Sequence, residues 1–531
     1  MNTVQRISRV PGQRPKRARA RWKLLLMLLA GALIIAVVLV AANLLRSDTT
    51  LVVQIPGQSQ VSIDLDQNQS LALSPYLLGS NVFPMSGTRS KDPGGQGFMS
   101  YGSQVVSGLH SAGIRLLRFP GGNFDEEHTP SAQQLDAFSN LLNQLGAEGS
   151  MQVQLSDPLD HRPVPLSIRA TRAALLVEYM NNPQGIQRSA GAPYHAIKYW
   201  SIGNEPDLLT NPDTGKKYTV AEYTQAFIAY SLAMHTRDPG IQVFGPELSQ
   251  YSAAGGPEDS QGNFWMQGFL QGISDYEHTH NLPFHLLDGV SFHYYPLKDG
   301  EQDVNTILSN PPQWDTIIPG LHQLIRQTLG EDLPVAITEI NTNSGTVPLP
   351  QNLSALWWAE TLGQLMNNQV EYVAFFSTEG VDSPNPLFLQ KGHTETAMLR
   401  VMQLFTYLQS NLVPIQGAQG PVSVYATQDG GHTTASLLFV NQTDTSRHIR
   451  VRAESILPWN LWQDAPWSSW QGAPWNSWRG ANLTLPGYSM AILTLHRDGS
   501  DEVFSFDNTA SEQQVVPEVQ HIVCSSRTGA C

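Results

Sequence analysis

At 531 residues the chain is too long for one small core, and it has room for a barrel of about 250 residues or more plus a second domain. Residues 1–46 hold nine Lys/Arg and no Asp/Glu. The remainder therefore has 22 basic against 45 acidic residues, a balance of −23 that argues against a highly sulfated polyanionic substrate. The only two cysteines, Cys524 and Cys531, lie within the last eight residues, which excludes a disulfide framework for the main body.

Eight of the nine basic residues precede residues 24–45, an uncharged and almost wholly apolar stretch. At about 1.5 Å per residue it is long enough to cross a bilayer core of about 30 Å. A removable signal peptide has a shorter apolar core, so the stretch reads as a retained N-terminal transmembrane helix. Residues 1–23 become a basic cytoplasmic segment, and everything beyond the anchor faces outward from the cell membrane. Residues 50–73 alternate apolar and polar side chains, as in Val61-Ser62-Ile63-Asp64-Leu65, which predicts strands that join a C-terminal β domain.

From residue 74 to 410 the pattern changes to short apolar runs separated by amphipathic helical windows. The runs fall at 77–83, 114–119, 151–155, 197–202, 241–244, 289–294, 335–338 and 372–377. Helical windows occupy 132–145, 168–180, 221–236, 263–274, 314–329, 353–366 and 394–409. Eight such units predict an α/β fold, a (β/α)₈ TIM barrel with insertions, as the catalytic domain. No Gly-x-Gly-x-x-Gly or Walker pattern follows an early strand, so no nucleotide or other cofactor and no nucleic-acid partner are predicted.

Alternation returns over 411–496, as in Val422-Ser423-Val424-Tyr425, and predicts an antiparallel β-sandwich completed by the strands of 50–73. Within it, Pro458-Trp459-Asn460-Leu461-Trp462, Pro466-Trp467-Ser468-Ser469-Trp470 and Pro474-Trp475-Asn476-Ser477-Trp478 form a Trp-rich repeat at 458–478 with a period of eight. Tryptophan faces stack on sugars or settle at membrane interfaces, and a self-packed loop explains the repeat equally well. Residues 497–531 are polar and read as a flexible tail. Asn68, Asn352, Asn441 and Asn482 head Asn-x-Ser/Thr sequons.

Two glutamates close strand-like runs. The fourth run ends in Gly203-Asn204-Glu205-Pro206 and the seventh in Ile337-Thr338-Glu339-Ile340-Asn341. Taken alone, Glu205 reads first as a solvated loop residue. Together, two carboxyls at one barrel mouth can flank a glycosidic bond, one protonating the leaving oxygen and the other attacking the anomeric carbon. With a period of two, Val335, Ile337 and Glu339 share a face, as do Ser291, His293 and Tyr295 of the sixth run. His293 or Tyr295 can donate to the nucleophilic carboxylate, and Arg118 at the end of the second run can do so with charge. Glu247 and Glu379 follow the fifth and eighth runs and are candidates to bind substrate hydroxyls. Asp125-Glu126-Glu127-His128 offers cation ligands but reads better as a solvated charge run. No His/Cys/carboxylate spacing indicates zinc, and no catalytic metal is predicted.

Trp200-Ser201-Ile202-Gly203-Asn204-Glu205-Pro206, Ile337-Thr338-Glu339, Ser291-Phe292-His293-Tyr294-Tyr295 and Leu117-Arg118-Phe119-Pro120-Gly121-Gly122-Asn123-Phe124 resemble clan GH-A retaining glycoside hydrolases. Family 51 α-L-arabinofuranosidases and the family 79 β-glucuronidase and heparanase-like enzymes are the most similar in motif. The resemblance implies a retaining glycosidase acting on an oligo- or polysaccharide or glycoconjugate. It implies Glu205 as acid/base, Glu339 as nucleophile and Asn204 as a donor to the sugar hydroxyl beside the anomeric carbon. The alternative is a non-catalytic glycan-binding or cell-envelope protein on the same scaffold, which has no need of both glutamates.

Overall fold

The computed structural model describes residues 49–65, 70–85, 98–156, 164–185, 188–379, 384–455, 480–512 and 516–524. The basic segment 1–23, the apolar stretch 24–45, the Trp-rich repeat, Asn68 and Cys531 lie outside the described residues. No described helix is long and apolar enough to cross a membrane.

Eight parallel strands close into a barrel in strict chain order: β1 (Gly79–Asn81), β2 (Leu116–Phe119), β3 (Glu148–Val153), β4 (Tyr199–Ile202), β5 (Gln242–Leu248), β6 (Gly289–Tyr294), β7 (Val335–Ile340) and β8 (Tyr372–Phe375). Each is followed by a helix on the outside: α1 (Ser103–Ser111), α2 (Ala132–Leu145), α3 (Leu166–Asn181), α4 (Val220–Arg237), α5 (Trp265–Thr279), α6 (Trp314–Leu329), α7 (Gln351–Asn367) and α8 (Ala397–Phe405). Local chemistry marks the helix ends. Ser131 with Gln134 and Thr219 with Glu222 form capping boxes at the starts of α2 and α4, and Gly146 ends α2 in the left-handed conformation.

The strands are buried on both faces, as a parallel barrel demands. Leu116, Tyr199, Phe244, Ala336, Tyr372 and Ala374 come from strands spread around the barrel yet pack together, so they fill its interior. Tyr199 and Tyr372 have ring centroids 5.0 Å apart, and Phe244 and Tyr372 5.5 Å. Val335 and Ile337 belong instead to the core between strands and helices. This interior layer forms the floor beneath the barrel mouth.

Two antiparallel sheets make the accessory sandwich. One pairs strands 415–416, 61–64, 49–54, 447–455 and 481–485; the other runs 520–523, 501–505, 489–496, 434–441, 422–428, 411–413 and 71–72. Residues 50–73 thus do feed both sheets. Val422, Val424 and Ala426 face the apolar layer between the sheets, while Tyr425 joins the barrel core, so the larger sheet is sandwiched on both sides. Asn441 is fully buried and its amide donates to Thr445 and Pro486 carbonyls, which leaves no room for a glycan there.

The stretch expected as a flexible tail is partly ordered. Asp501–Ser505 extends the larger sheet and Gln520–Val523 pairs with it in turn. Phe504 stacks on Tyr407 at 3.7 Å and on His521 at 4.6 Å, and Val503 joins the inter-sheet core. A few apolar anchors suffice to order a segment whose overall composition is polar.

Candidate active site

The carboxyl side chains reach the barrel mouth by local departures from regular strand geometry. On β7, Ile337 pairs with Val373 but Ile340 with Phe375, so the strand carries one extra residue against β8, and a matching shift occurs against β6. That bulge breaks the two-residue period. The expectation that Val335, Ile337 and Glu339 share one face is therefore corrected: the first two face the helices, and Glu339 turns into the mouth. On β5 the same device operates, since Pro246 pairs with Ser291 and Leu248 with Phe292, leaving Glu247 as the extra residue. Glu247 (φ 58°) and Glu205 (φ 47°) both adopt left-handed backbone, which few non-glycine residues do outside functional sites. The Glu205 N–H donates to the Glu247 carbonyl at 3.0 Å, tying the two loops together. Gly203 (φ 77°) precedes them with Leu155 so close that a Cβ would fall 2.2 Å from its Cδ1.

Arg118, fully buried, lies at the centre. Its Nη1 donates to Glu339 Oε1 at 2.7 Å and to Asn81 Oδ1 at 2.8 Å. Its Nη2 donates to Glu247 Oε2 at 3.0 Å, to Asn204 Oδ1 at 2.9 Å and to Gln152. Glu339 receives two more donors, the Gly122 N–H at 3.1 Å and the Tyr295 hydroxyl at 2.7 Å on Oε2. His293 Nδ1 faces Glu205 Oε1 at 2.9 Å and Glu339 Oε2 at 3.5 Å, and its Nε2 faces Glu247 Oε2 at 3.3 Å. The sequence-predicted Arg118, Asn204, Glu205, His293, Tyr295 and Glu339 thus converge, with one oxygen each of Glu205 and Glu339 and a nitrogen of His293 all within 4.8 Å of one another.

Electrostatics follow from this packing. Burial opposes the imidazolium of His293, but the neighbouring charges of Glu339, Glu205 and Glu247 outweigh it and push its pKa up to about 10. Burial likewise works against an ionised Glu247, yet Arg118 and His293 hold its carboxyl below the ordinary glutamate range. Burial and the Glu339 charge raise the Tyr295 hydroxyl well above its usual value, so it remains a donor. The trio Glu205, His293 and Glu339 has the spacing of a loose cation site. The same three groups contact one another directly, His293 Nδ1 facing Glu205 at 2.9 Å and Glu339 at 3.5 Å.

Other expectations change. Glu247 is fully buried, so it contacts the machinery rather than substrate hydroxyls. Glu379 is 2% exposed and its carboxylate accepts from the Ser100 N–H and His393, which removes it from hydroxyl binding. Asp125 and Glu126 form no solvated run. They sit in the helical turn Phe124–Glu127 and point inward, where Glu126 accepts from the N–H groups of Leu155 and Ser156 and Asp125 accepts from Gln152. Asn81 and Gln152 were not singled out from sequence. The signal was there in two amide side chains placed within otherwise apolar runs.

Residues 119–298 match the model of glycoside hydrolase family 44, a segment that contains Asn204, Glu205, Glu247, His293 and Tyr295 but ends before Glu339. No curated protein matches the chain by sequence. Among solved structures, the chain is similar to an α-L-arabinofuranosidase from Thermotoga maritima, with 14% identity, a TM-score of 0.56, and coverage of 82% of this chain and 99% of that one. A family 51 arabinofuranosidase from Xanthomonas axonopodis pv. citri gives 14% identity, a TM-score of 0.57 and coverage of 80% and 97%. A family 44 xyloglucanase from Paenibacillus polymyxa gives 14% identity, a TM-score of 0.54 and coverage of 81% and 97%. The class is that of a glycosidase, and the resemblance to clan GH-A stands. Families 44 and 51 are named among these matches, and they do not confirm the resemblance to family 79.

Proposed function

We propose that the protein is a retaining glycosidase that works by double displacement, with Glu205 as acid/base and Glu339 as nucleophile. The observation that carries this reading is the approach of the two carboxyl groups, with oxygens within 4.8 Å. Retaining enzymes hold their carboxyls about 5–5.5 Å apart, whereas inverting enzymes need about 6.5–9.5 Å to admit a water. The environments divide the roles. Three donors, one of them cationic, point at the Glu339 oxygens and hold that side chain in place for attack. Glu205 is the more exposed of the two, with 16% of its side chain accessible against 4%, and can reach both a leaving group and water.

In the first step Glu339 attacks the anomeric carbon as the bond to the leaving oxygen breaks, and the proton of Glu205 passes to that oxygen. In the second, the Glu205 carboxylate takes a proton from water, whose oxygen displaces Glu339 and frees the sugar. Asn204 donates to Asn123 with one amide hydrogen and retains a second for the sugar hydroxyl next to the reacting carbon. A glycan-binding module needs no such donor-surrounded second carboxylate. Residues 24–45 serve as a single-span anchor that presents the barrel outside the cell membrane.

Hydrolysis of aryl arabinofuranoside, xyloside, glucoside and glucuronide tests the substrate, the first and third being suggested by the activities named for the structural relatives. Glu339→Ala abolishes turnover, and azide restores it as a glycosyl azide of inverted configuration. Full activity in that variant would end the proposal.

A further inference from the structure

Glu247 is a carboxylate at the mouth that the double displacement does not use, and it is inserted there by a bulge in a strained backbone conformation. It has no exposed surface, so it cannot touch substrate. Its Oε2 contacts both cations of the site, Arg118 Nη2 at 3.0 Å and His293 Nε2 at 3.3 Å. Each cation in turn reaches one member of the catalytic pair: Arg118 reaches Glu339 at 2.7 Å and His293 reaches Glu205 at 2.9 Å. Resting on the double-displacement reading, we propose that Glu247 is a positioning residue that fixes the His293 ring and thereby sets the proton shared between His293 Nδ1 and the acid/base Glu205.

The argument is one of donors and acceptors. An ionised carboxylate only accepts, so Glu247 requires a hydrogen on His293 Nε2. With that tautomer fixed, Nδ1 always faces Glu205, and the pair holds one further proton. The proton resides either on Glu205, donated to a neutral Nδ1, or on Nδ1, donated to the Glu205 carboxylate. Both arrangements keep the hydrogen bond and leave the total charge unchanged. After Glu205 has given its proton to the leaving oxygen, the Nε2–H anchor holds the ring where Glu205 next receives a proton from water. The arrangement parallels the orienting acid behind a catalytic histidine.

The negative charge of Glu247 also raises the proton affinity of the pair. The other ionisable groups facing this cluster are Arg118, Glu339 and Tyr295 at the mouth, Asp207 beside Glu205, Tyr223 from α4 and Tyr372 from β8. Replacing Glu247 by glutamine preserves the shape and an acceptor for Nε2–H but removes the charge. The pair then surrenders its proton at lower pH.

The test compares Glu247→Gln with the parent across the pH–kcat/KM profile, using whichever aryl glycoside the parent hydrolyses. The alkaline limb moves down by about one pH unit or more, and Glu247→Asp restores part of the shift. A structural role alone lowers activity evenly along the profile, and an alkaline limb that coincides with the parent's overturns the proposal. If Glu247→Gln does not fold, the ¹⁵N-histidine spectrum of the parent decides, with His293 assigned as the signal absent from His293→Asn. A hydrogen on Nε2 supports the proposal, and a ring protonated on Nδ1 alone overturns it. Absence of turnover by the parent on every glycoside counts against the double-displacement reading instead, and the ring spectrum still decides the tautomer.

Discussion

Five side-chain acceptors converge on two nitrogens of Arg118: Asn81, Glu339, Gln152, Asn204 and Glu247. No lysine can reproduce that fork, because a single ammonium cannot reach both carboxylates and the amides between them. Arg118→Lys therefore lowers kcat/KM by roughly 100-fold or more and also lowers Tm, since a buried Glu247 loses its closest guanidinium contact. Tyr295→Phe is the cleaner probe of the nucleophile. It deletes one hydrogen bond to a charged group, about 1.5–3 kcal/mol, so kcat/KM falls roughly 10- to 100-fold. An unchanged kcat/KM in this variant contradicts the assignment. Arg118, His293 and Tyr295 were legible as polar residues at the ends of apolar runs. Glu339 was legible at its strand end too, but the bulges that turn it and Glu247 into the site were not, because a bulge is one extra residue that leaves no mark on composition.

At the scale of elements, α7 joins the barrel to the sandwich. Gly363 lies so near Tyr425 that a Cβ would come 2.4 Å from its ring, and one turn away Glu360 accepts from the Tyr425 hydroxyl at 2.8 Å. Burial pushes the Glu360 carboxyl up to about 7, against hydrogen bonds from Ser423, Tyr425 and Gln442 that favour its charged form. A carboxyl raised on folding contributes stability that is present in full below its unfolded value near 4.5 and is lost as pH rises through about 7. Tm is expected to fall between pH 5 and 8, and Glu360→Gln flattens that slope. An unchanged slope in the variant shows that Glu360 does not carry it. The helical windows at 132–145, 263–274 and 314–329 were read nearly in place because their apolar spacing is strong, whereas Gln351–Asn367 is buried almost all round and was placed by its length between two apolar runs. Ser103–Ser111 was missed, as its nine residues fall short of the window over which apolar spacing is read. Strand β3 begins at Glu148, ahead of the expected 151, since Glu148 and Ser150 interrupt the apolar run with polar side chains.

For the molecule as a whole, the barrel supplies a rigid rim and the sandwich braces it, with Tyr425, Leu438, Val440, Met490 and Ile492 packing into the barrel core. Eight repeated units made that architecture legible, and 14% identity to its structural relatives shows how little sequence it demands. The proposed anchor belongs to this scale. The full chain is expected in the membrane fraction after a carbonate wash, and a chain starting after Arg46 in the soluble one; release of the full chain by carbonate contradicts a spanning segment. The central claim is that Glu339 becomes covalently bound to the sugar. Its most direct measurement is mass spectrometry of the protein treated with a 2-deoxy-2-fluoro glycoside of the hydrolysed series, followed by peptide mapping. One sugar mass on the peptide bearing Glu339, absent from Glu339→Gln, is the expected result, whereas a label on another residue, or rapid turnover with no label at all, contradicts the account.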